Sequence, residues 1–397
     1  MPVGRAGNDA LRGVSLAALA PASSRPRSSG RVGLGPVGDF PDPRAAGRED
    51  LRTLQAIVDG HVSAHDGLVR ISQSGGLPIV VDGKTVFVSD ASETQHVAGD
   101  FNGWSPTAME RRGEVQVLEV KGEQTGRYKL VAGSDWRADP WSRRYAFDDH
   151  GEISIAQRQG GRELLRIHGV SGFGLAPRTV RLLVPAGEAT HHLYMHDGQN
   201  LFHPNAMFGG WRVDEAVGDK TLVVALDNTS DRMDEYTHVR DKIDDREMGG
   251  RGDDYARLVV DLVKPMIESN FGAPRKVGVM GSSLGGLVSF HIASKYPNTF
   301  DFVGAMSPTF WWGGSDSMLE RYRAQPFMRR PKFYVDSGGS PGGRDNHDAA
   351  KEMAGILDQA GYRWERDLWH WHEPDAAHNE MAWARRVWRP LKLFEGL

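Results

Sequence analysis

The chain has 397 residues, long for one domain and suited to two, and its 39% hydrophobic content with 11 tryptophans supports a sizeable packed core. The absence of cysteine excludes disulfides and thiolate metal sites, and a net charge of −4 offers no basic field for nucleic acid. No apolar run approaches the roughly 18 residues that would span a bilayer.

Residues 1–50 are rich in Gly, Pro, Arg, Ser and Ala without hydrophobic periodicity, so a disordered tail is expected. The run Val14–Ala20 behind Arg5 and Arg12 is a marginal apolar core with no clear cleavage site after it, so the expectation is a cytoplasmic protein rather than an exported one. Over residues 51–73 the apolar positions Leu51, Leu54, Ile57 and Val58 are spaced for one buried face, which predicts a helical linker.

From residue 74 to 160 the pattern changes to short strands separated by turns, with Pro78 at the boundary. Strands are predicted at Ile79–Val81, Lys84–Val88, Gln95–Gly99, Val115–Val120 and Arg127–Ala132, the first two joined by the Asp82-Gly83 turn. That spacing predicts a small β-sandwich, separate from any α/β sheet. Trp104 and Trp136 either stack on a sugar or aromatic ligand or pack the sandwich.

Residues 165–397 read as an α/β domain. The strand-like run His191–His196 is followed by Asp197-Gly198-Gln199-Asn200, which is turn chemistry. Gly198 would let this loop pass close to the catalytic turn, so that the Gln199 amide can serve an oxyanion. Residues 231–254 form a charged, Gly-containing insertion with Arg240, Lys242, Arg246 and Arg251, expected to be either a lid or a solvated loop. The run Val277–Met280 then enters Gly281-Ser282-Ser283-Leu284-Gly285, a G-x-S-x-G turn, and leaves in a helix-compatible run. Strand, tight turn and helix are the context of a nucleophile elbow, with Ser283 at its centre and the Leu284 amide as the first oxyanion donor.

A serine nucleophile needs a base, and the base needs an orienting acid. His378 follows the turn-rich Glu373–Ala377 and precedes a helical run, the loop position from which such a fold presents its base. The acid is Asp345, in the loop after the strand Lys332–Asp336, or alternatively Asp336 at that strand's end. A rival reading lets His370, His372 and His378 chelate Zn²⁺, but no matched carboxylate spacing supports it, so neither a metal nor an organic cofactor is expected.

Two resemblances follow from these residues. His96–Trp104, Tyr128–Val131 and Trp136–Pro140 resemble the immunoglobulin-like early-set domains that precede glycogen-branching and related enzymes. Tyr194–Phe202, Gly281–Gly286 and His378-Asn379-Glu380-x-x-Trp383 resemble the enterochelin esterase and esterase D group of α/β-hydrolases. This second resemblance implies a mostly parallel central sheet and a Ser283, His378 and Asp345 triad. It implies hydrolysis of a small-molecule carboxylic ester, of siderophore type or alternatively glycan-linked; a third reading is a glycan-binding protein with a vestigial triad. The group's Arg-x-x-Glu segment matches Arg232–Glu235, where Arg232 either meets an anionic substrate group or pairs with Glu235. Arg232, His196 and Trp311 are the candidate substrate-binding residues.

Overall fold

The computed structural model describes residues 43–206, 209–324, 331–339 and 345–396; of the tail expected over 1–50, residues 1–42 lie outside the described residues, and 43–50 are instead the first turns of a helix. The catalytic half is organised by eight strands hydrogen-bonded in one sheet. In spatial order they are Leu368–Glu373, Lys332–Gly338, Phe302–Met306, Lys276–Ser282, His191–His196, Thr221–Leu226, Arg178–Val184 and Glu163–Val170. The first six run parallel, whereas Arg178–Val184 is antiparallel to both its neighbours. This is an α/β-hydrolase type of mixed sheet.

Every residue of Thr221–Leu226 and Phe302–Met306 is buried, as expected for parallel strands covered on both faces. Alternation along His191–His196 sends Tyr194 into the cluster that holds the elbow helix Leu284–Lys295. It sends Leu193 and Met195 to the other face, against Trp211, Trp383, Leu391 and Phe394. The sheet therefore carries a core on each side, and its strands' C-terminal ends are where chemistry can be assembled.

Two helices, Pro43–Val58 and Ala64–Gln73, precede the β-rich region, and their apolar faces bury Leu54, Ile57, Leu68 and Ile71 against Ile79, Val86 and Val117. Each of the five predicted strands is present. One sheet has the order Ile79–Val81, Lys84–Ser89, Val115–Lys121, Glu110–Arg112. The cluster Phe87, Val97, Met109, Tyr128 and Leu130 is buried between it and the strands His96–Gly99 and Arg127–Ala132.

The second sheet departs from the expectation of separation. Through Gly151–Ile155 and Arg144–Asp148 it continues into the catalytic sheet, where Leu164 pairs with Tyr145 and Leu165 with Arg144. Backbone bonds thus run unbroken from one region to the other. Trp104 and Trp136 lie against each other, ring centroids 6.5 Å apart; Trp104 is half-buried and Trp136 is 42% exposed, so neither belongs to the buried core of this region. The charged insertion is ordered into a hairpin, Arg240–Ile243 with Arg246–Gly249. Its two turn residues, Asp244 and Asp245, both have positive φ, as a two-residue hairpin turn requires. Among the described residues no helix is long and apolar enough to cross a membrane.

Candidate active site

The elbow lies between the strand Lys276–Ser282 and the helix Leu284–Lys295, with Ser283 at φ 55°, ψ −122°. That conformation is sparsely populated for a residue with a side chain and persists only where its surroundings enforce it. Ser283 N–H donates to the Met306 carbonyl (2.9 Å) and Thr309 N–H donates to the Ser283 carbonyl (3.2 Å), which pins the turn to the neighbouring strand. A Cβ on Gly281 would stand 2.8 Å from the Gly285 carbonyl carbon, so glycine is obligatory there. A Cβ on Gly285 would meet His196 and Asp197 only at 3.4–3.5 Å, ordinary contact, so the two elbow glycines are not equivalent.

His378 precedes the helix Glu380–Ala384, whose cap is Asn379, its side chain accepting from Ala382 N–H. Asn379, and not His378, is therefore the N-cap of that helix. His378 Nδ1 is hydrogen-bonded to Asp345 Oδ1, and its ring meets Trp383 edge-on at 5.1 Å. Asp345 is 5% exposed and also accepts from Ser307 Oγ (2.5 Å) and from Gly338 N–H. Burial raises its carboxyl, but the bonds from His378, Ser307 and Gly338 outweigh burial and hold it below the usual carboxylate range.

Asp336 has a different task. It is buried, bound by Arg386 Nε (2.9 Å) and Nη2 (3.1 Å), and accepts from Tyr334 Oη (2.9 Å). Arg386, 1% exposed, also donates to Ser307 Oγ (2.7 Å) and lies 3.7 Å from Asp345 Oδ2. Ser307 in turn accepts from Trp383 Nε1 (3.0 Å). A buried network of Asp336, Arg386, Ser307 and Trp383 therefore stands behind the His378–Asp345 pair.

The other wall is the turn after His191–His196. A Cβ on Gly198 would stand 2.8 Å from the Ala225 carbonyl and from Asp227 Oδ1, so the glycine is required by the adjacent strand's end rather than by the elbow. Gln199 lies in the short 3₁₀ turn Gly198–Asn200 and Leu284 in the first turn of the elbow helix, positions whose N–H groups lack intrahelical partners. Asp197, at φ 57°, takes both nitrogens of the Arg232 fork (2.7 and 2.8 Å) and Asn228 Nδ2 (2.6 Å). Burial raises the Asp197 carboxyl, and Arg232 outweighs that and holds it low. The Arg232–Glu235 pairing does not form: Glu235 binds Arg178 by two 2.8 Å bonds with both side chains fully buried.

Of the three candidate substrate residues, Arg232 is thus already paired with Asp197. His196 does not join the site. It is 1% exposed, with Nδ1 bonded to Tyr255 Oη (2.9 Å) and Nε2 to Ser289 Oγ (3.1 Å), and burial pushes its imidazole down to about 3, so it stays neutral. Trp311 is half-buried and donates to Asn346 Oδ1 (3.0 Å), which ties it to the loop that carries Asp345. Ser283 Oγ has its hydrogen bond among the described residues with Thr309 Oγ1, at 3.4 Å.

The histidine chelate does not assemble. His370 and His372 cluster with His347, where His347 and His372 share the Ser337 hydroxyl, while His378 is committed to Asp345. Among the described residues no group of three or more His, Asp or Glu side chains is disposed to hold a metal ion.

Sequence reasoning missed Ser307, Thr309, Asn228, Arg386 and Glu380. Glu380 is 9% exposed and accepts from Asn200 Nδ2 (3.1 Å). Burial, reinforced by the Asp197 carboxylate, pushes its carboxyl up to about 7 against the pull of its own backbone N–H, Arg232 and His378. Glu380 stands in the run His378-Asn379-Glu380-x-x-Trp383 that carries the resemblance, where no role was assigned to it.

A family model described as "putative esterase" matches residues 176–390. The chain is 28% identical over 174 residues to the uncharacterized protein YbbA of Bacillus subtilis (strain 168), covering 41% of this chain and 65% of that protein. It is 29% identical over 83 residues to the siderophore enterobactin esterase of Emericella nidulans, covering 19% of this chain and 26% of that protein. The chain thus spans less than two thirds of the length of either curated relative. Among solved structures, the enterobactin esterase FES from Shigella flexneri aligns at 15% identity with a TM-score of 0.44, covering 79% of this chain and 93% of that one.

Proposed function

This chain belongs to the esterase family matched over residues 176–390, and on that premise we propose that it is a serine carboxylic ester hydrolase working through an acyl-enzyme. The observation that carries the proposal is a strained elbow serine in the same active-site region as a half-buried His378 held by the buried Asp345. In this reading Ser283 Oγ attacks the ester carbonyl while His378 Nε2 takes its proton, and Asp345 holds the imidazole with its proton on Nδ1. The Leu284 and Gln199 amides receive the oxyanion. Collapse of the tetrahedral intermediate breaks the ester C–O bond, His378 returns the proton to the leaving alkoxide, and water repeats the sequence to release the acid and regenerate Ser283. Asp345 rather than Asp336 is the acid in this scheme, because Asp336 is consumed by Arg386.

We propose further that the substrate is a siderophore-type ester, on the kinship with the Emericella enzyme. The N-terminal β-rich region, residues 74–160, is read as an immunoglobulin-like early-set module. The exposed Trp136, stacked on the half-buried Trp104 of that module, favours a second reading, a glycan-linked ester brought to the site by the module. Hydrolysis of a p-nitrophenyl acyl panel beside a cyclic catecholate trilactone, for wild type and Ser283→Ala, tests both. Trilactone turnover lost in Ser283→Ala supports the first reading. Turnover confined to short acyl or feruloyl esters supports the second, and no Ser283-dependent turnover overturns the esterase proposal.

A further inference from the structure

The active-site region holds a buried carboxyl that the mechanism above does not use. Glu380 stands two residues after the base and opens the helix Glu380–Ala384. Its Oε1 accepts from Asn200 Nδ2 (3.1 Å), across from the loop that supplies the Gln199 amide. Among the described residues, Asn200 is otherwise held by its backbone, its N–H on the Asp197 carbonyl and its carbonyl under Trp211 N–H, both 2.9 Å. The Glu380 contact is therefore a side-chain tie between the oxyanion turn and the loop of the general base.

We propose that Glu380 is a positioning residue for ester hydrolysis, which through Asn200 fastens the oxyanion turn to the His378 loop. The inference rests on the serine-esterase reading above. Three charged or titratable groups face it: Asp197 and Arg232 from the oxyanion side, and His378 from its own loop. The Arg232 fork is already spent on both oxygens of Asp197, so an ionised Glu380 would be a second buried carboxylate beside Asp197 without a cation of its own. A buried charge lacking its own partner is relieved by moving toward water. That movement releases Asn200, and with it the turn that presents the Gln199 amide. The position at which this charge appears follows from burial and from Asp197, which push the carboxyl up to about 7. Glutamine at 380 keeps the acceptor oxygen and cannot ionise, whereas alanine removes the tie at every pH.

The test is kcat/KM on one p-nitrophenyl ester across about pH 5.5–9.5 for wild type, Glu380→Gln, Glu380→Ala and Ser283→Ala. The wild type is expected to lose about fivefold between about pH 7 and 9, as a tie worth about tenfold is lost from a group already half-ionised at about pH 7. Glu380→Gln is expected to fall a few-fold at about pH 6 and then to vary by less than about twofold over that alkaline range. Glu380→Ala is expected to be about tenfold below the wild type at about pH 6, the effect of losing one positioning hydrogen bond, to show no alkaline limb, and to meet the wild type at about pH 9. An alkaline limb that is absent from the wild type, or that survives in Glu380→Gln, overturns the proposal. If Glu380→Gln does not fold, ¹³C-carboxyl NMR of glutamate-labelled wild type decides. One glutamate titrating near neutrality, with its resonance moved by Asn200→Leu, supports the tie; all glutamates titrating in the ordinary acid range overturns it. Ser283-dependent turnover with an unchanged limb removes this inference alone, while absence of Ser283-dependent turnover removes it together with the esterase reading.

Discussion

Replacing Arg386 by methionine probes the buried network behind the base most severely. The guanidinium makes two bonds to Asp336, one to Ser307, and stands 3.7 Å from Asp345, all with about 1% of its side chain exposed. Methionine approximates its length but leaves Asp336 with Tyr334 Oη and the Ser307 amide as its remaining donors. Removing one partner of a buried ion pair costs about 3–5 kcal/mol. Against a total stability of about 5–15 kcal/mol, that is a large fraction of what holds the fold. The cost must also depend on pH. Burial already raises the Asp336 carboxyl, with Arg386 as the chief opposing influence, so its folded-state value rises further in the variant. A group raised on folding contributes stability below its unfolded value, and that contribution is lost as pH rises toward the folded one. Urea unfolding of Arg386→Met should therefore show the deficit smaller at about pH 5 than at about pH 8, with wild type measured in parallel. Adding Asp336→Asn, which removes the charge left behind, should recover part of the loss. A deficit below about 1 kcal/mol, equal at both pH values, would refute the claim that Arg386 neutralises buried carboxylates.

Two further outcomes follow from particular contacts. Gly281→Ala should abolish ester turnover or folding, because its Cβ would sit 2.8 Å from backbone that cannot retreat, whereas Gly285→Ala should cost less than about 1 kcal/mol by thermal unfolding. Equal effects of the two would contradict the elbow geometry described. In the N-terminal helix, Asp50 is 1% exposed, accepts from Gly75 N–H (3.0 Å), and is pushed up to about 7, chiefly by burial. Its folded value lies above its unfolded one, so it weakens the protein as pH rises from about 4 toward 7. Asp50→Asn should consequently leave unfolding at low pH little changed and raise the midpoint at about pH 8; an unchanged midpoint at both would count against this.

The legible parts of the molecule were those with short-range signals. G-x-S-x-G between an apolar run and a helical one marked the strand–turn–helix that carries Ser283, and a turn-rich segment ahead of a helix marked the loop that carries His378. The five predicted strands of the β-rich region were bounded by turn residues and alternation. What could not be read was which buried carboxylate faces the base, because Asp345 and Asp336 differ only in where a loop folds back and in the presence of Arg386, fifty residues downstream of Asp336. Ser307 looks like any serine at a strand end. His196 drew notice by adjoining the oxyanion turn, yet His192–His196 is buried on both faces and so carries no alternation to show that its ring points into the core. The stitching of the two sheets rests on two residue pairs, Leu164 with Tyr145 and Leu165 with Arg144, a long-range pairing that no local pattern announces.

The measurement that reaches the central claim most directly is labelling with a fluorophosphonate probe, followed by peptide mass mapping. A single adduct on Ser283, absent in Ser283→Ala and formed at least about a hundredfold more slowly in His378→Ala, is the predicted result. No adduct, or an adduct on another residue that persists in Ser283→Ala, would contradict it.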